Sequence, residues 1–237
     1  RNTLLMVKEL VNYSYKKGLS HIPSALSMLS YLEVLVKYNF ITKEDFLIIG
    51  KPWGSQAYYL LWEKYWNLDI SNLSIGVKHD EIDFLDYGEE TMGNALGVAS
   101  GIAMTTDKKV WVNLSDATLQ IGNTMEAIQF IGLNNLNNII TTVDFNNMQV
   151  TGEVDAILSV RPIVKLFKNC GWNVQCVKYG HREKTLKHIF ERHFKVGDKP
   201  TVFIIHTVKG HGVPFMEENP RKWHYRKLDE TDIKQIS

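Results

Sequence analysis

Apolar residues recur at helical spacing in the first part of the chain and then gather into short, dense runs. Leu4, Leu5, Leu10 and Val11 share a face across residues 2–17, which predicts an amphipathic helix ending near Gly18. Leu26, Leu29, Leu32 and Leu35 make one stripe and predict a second helix from Ser24 to Tyr38, with a third from about Ser55 to Trp66. Residues 67–90 are polar and hold Gly and Asp, so they read as loop. The stretch "MGNALGVASGIAM" (92–104) reads as a helix lined with small residues. Glycine weakens a helix, so the spacing of Gly93, Gly97 and Gly101 predicts close packing against another backbone.

From residue 109 the rhythm becomes strand, helix, strand. Strands are predicted at 109–114, 138–145, 172–178 and 201–206, with helices from about Gly122 to Leu133, near 156–169 and at 182–194. Such alternation implies an α/β fold, a parallel sheet with helices on both faces. No repeat and no linker divides the chain, which reads as one domain over 1–237.

The chain has 237 residues and is 44% hydrophobic, enough apolar material for a substantial core. Its formal net charge is +1 with Lys and Arg scattered, which argues against nucleic acid or an anionic membrane as the main partner. No apolar run approaches a membrane span and the N-terminus lacks a signal-peptide pattern, so a cytoplasmic location is expected. Cys170 and Cys176 fall in one predicted strand without a CxxC or Cys/His cluster, and read as free, buried thiols in a reducing compartment.

Two predicted strands end on oxygen-bearing side chains. Asp116 follows the first and Asn146 the second. In a strand–helix–strand crossover both carboxyl ends emerge on one edge, where open α/β sheets bind ligands. The helix starting near Gly122 directs its free N–H groups toward the same region. A carboxylate and an amide oxygen beside such a helix end suit a hard divalent cation bridging to phosphate, and magnesium fits best. Asp and Asn at strand ends also start turns or cap helices, and phosphoacceptor domains carry an Asp at a strand end too.

Five ordered segments carry more than geometry. The stretch 110–152, with Ser115-Asp116-Ala117 and then "VDFNNMQVTG", resembles the thiamine-diphosphate signature of transketolases, a Gly-Asp-Gly followed by Asp-x-Asn. "GLSHIPSALSMLSYLEVL" (18–35), "IGKPWGSQAYYLL" (49–61), "EETMGNALGVASGIA" (89–103) and "HTVKGHGVPFMEENPRKWHYR" (206–226) are similar to further family segments in the family's order. The resemblance implies a diphosphate-binding domain with an extended C-terminal segment from about 207. It also implies thiamine diphosphate and Mg2+ as cofactors, with Ca2+ or Mn2+ as substitutes, and transfer of a two-carbon ketol unit from a ketose or ketose phosphate to an aldose. The family's pyrimidine-binding domain, which supplies the glutamate that activates the cofactor, has no match here. The implied partner is therefore a C-terminal-half transketolase subunit, in an α2β2 assembly.

By the same resemblance, Asp116 and Asn146 hold the metal through their side chains and Met148 through its backbone carbonyl. Met92 and Val150 flank the thiazolium, Gly93, Ala117 and His224 lie at the cofactor, and His21 and His224 act at the substrate. Glu126 matches an acidic residue of the family's subunit interface, and His79 lies near a third family histidine with different neighbours. Departures are Trp53 in place of an imidazole, Glu90 in place of glycine and Ile121 in place of an acidic residue. They point to a changed sugar substrate in a specialised pathway. The alternatives are a non-catalytic or regulatory transketolase-like subunit, or a subunit of a 2-oxoacid dehydrogenase or deoxyxylulose-phosphate-synthase type enzyme.

Overall fold

In the computed structural model, which describes residues 2–73, 76, 82–193 and 197–236, the alternating rhythm resolves into one all-parallel sheet. Its strands are β1 (Phe46–Ile49), β2 (Tyr87–Gly88), β3 (Val110–Ser115), β4 (Ile139–Phe145), β5 (Asn173–Val177) and β6 (Thr201–His206). They lie in the order β2-β1-β3-β4-β6-β5. Strand residues alternate between two apolar layers, as the two-residue period of a strand demands. Leu47, Ile49, Trp111, Ile140, Phe203 and Ile205 pack on one face, against α1 (Asn2–Lys16), α2 (Ile22–Lys37), α3 (Gln56–Trp66) and α8 (Glu183–His193). Ile48, Val112, Leu114, Val143, Val202 and Ile204 pack on the other, against α4 (Ala95–Ala103), α5 (Gly122–Leu133) and α7 (Arg161–Asn169). A one-residue slip of any strand would exchange these layers, so burial on both faces fixes the register.

The predicted elements form, with instructive differences. Strand β1 was not legible, because four residues before Gly-Lys-Pro give too short a run. Helix α2 buries every residue from Ile22 to Val36, including Ser24, Ser27, Ser30 and Glu33, where one apolar stripe was predicted. It packs against α1, α3 and α8 as well as the sheet side, so no face is left for water. The single helix predicted near 156–169 is two, α6 (Val154–Leu158) and α7. Ser159 is extended between them and Pro162 starts α7, where its missing N–H costs nothing. Gly97 and Gly101 have nothing within 4 Å of an added Cβ, so the close packing predicted for them is not made within this chain. Cys170 follows α7 rather than lying in a strand, and Cys176 in β5 is exposed rather than buried. Both are free.

Parallel strands deliver their carboxyl ends to one edge. Lys51, Asp116, Asn146 and Thr207 each follow the end of β1, β3, β4 or β6 within two residues. The chain after β6, carrying α9 (Pro214–Glu218) and α10 (Glu230–Ile236), crosses this edge and is tied to the start of α2. The Gly210 N–H donates to the Pro23 carbonyl at 3.0 Å and the His21 N–H to the His224 carbonyl at 3.2 Å. Among the described residues no helix is long and apolar enough to cross a membrane.

Candidate functional site at the carboxyl edge of the sheet

A cavity of 390 Å³ opens at this edge. Its wall includes His21, Met92, Asp116, Ala117, Asn146, Met148, Val150 and His224, so one space gathers nearly all the residues singled out in the sequence. Gly93 is not in the wall. It is buried beside it, with its N–H bonded to Glu89 Oε1 at 3.0 Å. Glu90 is exposed and outside the wall, Glu126 lies on the exposed side of α5, and His79 falls outside the described residues.

Asp116 is 1% exposed. Its Oδ1 accepts the Ala117 N–H at 2.8 Å and its Oδ2 accepts the Asn147 N–H at 2.6 Å, so the side chain caps the turn that follows β3. Each carboxylate oxygen keeps a second lone pair. Burial, and then the charge of Asp144, push its pKa up to about 7 against the pull of those N–H groups. A buried carboxylate with raised basicity is one that a bound cation would relieve.

Asn146 Oδ1 accepts the Met148 N–H at 2.9 Å, while its Nδ2 donates to Asp144 Oδ2 at 2.9 Å and to Ser27 Oγ at 3.3 Å. The Met148 carbonyl accepts Lys209 Nζ at 2.9 Å, and the same ammonium donates to His224 Nδ1 at 3.0 Å. Lysine has no acceptor to offer, so a neutral His224 carries its proton on Nε2. Burial, followed by the nearby Lys51, lowers the Lys209 pKa to about 8.

His21 begins α2 in the left-handed region, φ 57°, a conformation uncommon outside glycine and Asn. Its ring stacks on Trp53 with centroids 5.0 Å apart and meets His224 and Tyr225 edge-on at 5.0 and 4.9 Å. Burial first, then the charges of Lys209 and Lys51, lower its pKa to about 4. Burial, Lys209, His21 and Lys51 lower that of His224 to about 3. Both imidazoles are neutral at physiological pH and serve as hydrogen-bonding groups there.

The donor set, one carboxylate, one amide oxygen and one carbonyl, is hard and all oxygen, which fits Mg2+. Met92 and Val150 give the same cavity an apolar wall for a ring, and Lys209 puts a buried cation beside it for an anion. Sequence reasoning gave no role to Lys51, Lys209, Ser27, Asp144, Thr207 or Tyr225. One signal was available: Asp144 is a charged residue inside a strand buried along its whole length.

Comparison with known proteins gives a family and a fold. The model of the family "Transketolase, thiamine diphosphate binding domain" matches residues 97–237. One of the subunits of the apulose-4-phosphate transketolase of Phocaeicola vulgatus is 25% identical over 241 residues, covering 92% of this chain and 85% of the relative. Transketolase-like protein 2 of Mus musculus is 27% identical over 199 residues, covering 78% of this chain but 31% of that protein. The transketolase of Campylobacter jejuni superposes with a TM-score of 0.85 at 22% identity, over 99% of this chain and 41% of its own. The chain thus spans under half of that solved structure and most of a relative that is itself one component of a transketolase.

Proposed function

Since the chain belongs to the transketolase family, as its N-terminal thiamine-diphosphate-binding part, we propose that it is one subunit of a two-component transketolase. In this reading, residues 1–237 form a single diphosphate-binding domain with an extended C-terminal segment from about 207. The subunit works in the cytoplasm with a second polypeptide that supplies the pyrimidine-binding half, in an α2β2 assembly. It takes a two-carbon ketol unit from a ketose or ketose phosphate and passes it to an aldose.

The supporting observation is the makeup of the cavity wall. It combines oxygen donors, an apolar wall and two neutral histidines, and among the described residues Asp116 is the one carboxylate in it. Asp116, Asn146 and the Met148 carbonyl would hold Mg2+, and Lys209 would face the diphosphate. When bound, thiamine diphosphate supplies the electron sink for breaking a bond beside a ketose carbonyl. Met92 and Val150 keep water from the ring, while His21 and His224 orient sugar hydroxyls and pass protons between them and solvent. In this reading the glutamate that activates the cofactor comes from the pyrimidine-binding half, on the second polypeptide. The Phocaeicola vulgatus relative, named as one component of its transketolase, supports the same division. Trp53, with no acceptor and no titratable proton, sets this cavity toward a sugar other than the ordinary pentose phosphates.

Two measurements test the reading together. Titration calorimetry should show thiamine diphosphate binding that requires Mg2+ and is lost in Asp116→Ala. Native mass spectrometry of the chain isolated from its own cells, with both cofactors present, should show equal numbers of this chain and a second polypeptide. Cofactor binding indifferent to Mg2+, or a chain with neither partner nor cofactor, would overturn it.

A further inference from the structure

Asp144, on the strand that Asn146 follows, forms a buried ion pair with Lys51 from beyond the end of β1. Asp144 is fully buried and Lys51 is 4% exposed, and the Lys51 ammonium donates to Asp144 Oδ2. Replacing a buried ion pair with apolar residues of similar volume is often neutral or stabilising, so its presence calls for a reason other than stability.

The reason lies in the amide two residues away. An Asn side chain offers an oxygen on one side and an NH2 group on the other, and only the oxygen can serve a cation. Asn146 directs Nδ2 at two acceptors, Asp144 Oδ2 at 2.9 Å and Ser27 Oγ at 3.3 Å. With the NH2 group committed there, Oδ1 is the atom left on the other side, where it also meets the Met148 N–H at 2.9 Å. Asp144 in turn has little freedom. Ser27 Oγ and Lys51 Nζ donate to Oδ2, and Thr207 Oγ1 donates to Oδ1. Lys51 is itself anchored by the Ser24 carbonyl at 3.0 Å. The chain of bonds runs from α2 and the end of β1, through Asp144, to the amide at the end of β4.

We propose that the Lys51–Asp144 pair is a positioning device: it fixes the orientation of the Asn146 amide so that the oxygen, and not the NH2 group, faces the divalent cation. The Lys51 ammonium holds Asp144 Oδ2 in place, so that the carboxylate is committed to its donors and orients a ligand from behind. This rests on the metal role proposed for Asn146. Groups that orient ligands from behind change metal affinity by roughly 10–100-fold when removed.

The test follows Mn2+ binding to the full chain by the loss of its free-ion EPR signal, with thiamine diphosphate present. Circular dichroism confirms the fold of each variant. Lys51→Met with Asp144→Leu removes the pair without leaving a buried charge, and should weaken Mn2+ binding tenfold or more. Asn146→Asp supplies the discriminating reading, because a carboxylate presents oxygen whichever way it turns. In the double variant it should restore binding. In the otherwise native chain it sets a second carboxylate against Asp144 Oδ2 and should weaken binding. Opposite signs of one substitution in two backgrounds are the mark of orientation, which a merely structural pair would not produce. If the double variant binds Mn2+ as the native chain does, the positioning role is wrong while the metal site stands. If the native chain binds none, the metal site and the inference fall together.

Discussion

The carboxylate of Asp116 accepts the backbone N–H of Asn147 at 2.6 Å, joining the end of β3 to the end of β4 above the sheet. The bond favours the charged form of a side chain that burial and Asp144 push toward the neutral one, and burial wins, with a pKa of about 7. An unfolded Asp titrates near 3.8. Between these values the unfolded chain loses a proton that the folded chain keeps, so Asp116 costs stability progressively from about pH 4 to about pH 7. The ceiling is about 4 kcal/mol, from about 1.4 per pH unit. Metal-free Asp116→Asn should therefore gain stability relative to the native chain as pH rises through that window. Mg2+ with thiamine diphosphate should stabilise the native chain at pH 8 and leave the variant unmoved. Urea melts across pH, with and without both cofactors, read both effects. Parallel pH profiles for the two proteins would refute the raised basicity.

Lys209 joins the Met148 carbonyl to His224 through one ammonium group. After burial, its charge is the next cause of the low basicity of His224. Lys209→Met keeps a stem of similar length and removes the charge. The His224 pKa should rise from about 3, remaining below the ordinary 6.5 because burial persists. Cofactor affinity should fall as well. NMR titration of the His224 ring gives the first reading and calorimetry the second. An unchanged His224 pKa would place the cause in burial alone.

How much of this site the sequence disclosed depended on residue type. Asp116 and Asn146 were legible because a polar residue closing an apolar run marks a strand end, and the β3–β4 register then sets those ends side by side. Lys51 and Lys209 were not, because lysine is ordinarily exposed and nothing local shows that α2 and the chain after β6 enclose both. Asp144 stands in the Asp-x-Asn pair of the quoted signature, but its partners Lys51, Ser27 and Thr207 come from three other segments that no local pattern links to it. Strands β3, β4 and β6 were readable from their own residues. The two-residue β2 exists only as a partner for β1, and no pattern within it could show that.

Trp53 is 36% exposed and covers one face of the His21 ring. Such a stack contributes about 0.5–1.5 kcal/mol, so Trp53→Ala should lower stability by about 1 kcal/mol. The larger effect should fall on His21, whose low pKa of about 4 comes first from burial. Uncovering the ring should raise that value toward 6.5, whereas Trp53→Phe should leave it nearly in place. NMR titration of His21 in both variants checks this. Equal shifts in the two would mean that the aromatic face is not what covers the imidazole.

Gly93 lies outside the cavity wall, and its backbone explains why glycine stands there. Its φ is +127°, and an added Cβ would lie 2.8 Å from Ile121 Cγ2. Two separate costs follow for Gly93→Ala. The backbone angle contributes about 1–3 kcal/mol, and the contact adds a similar amount because the clashing Cγ2 is on the β-branched carbon of Ile121 and moves only by turning χ1. The two can be separated. Ile121→Ala removes the clashing methyl but leaves the backbone angle as it is, so Gly93→Ala should cost less in that background, by about 1 kcal/mol or more. Strictly additive effects would assign the whole cost to the backbone. Gly93 also receives Thr124 Oγ1 on its carbonyl at 3.3 Å, and Thr124 lies in the first turn of α5. The strain from Gly93→Ala should thus reach the helix end beside Asp116, and cofactor affinity should fall along with stability in the single variant and recover in part in the double.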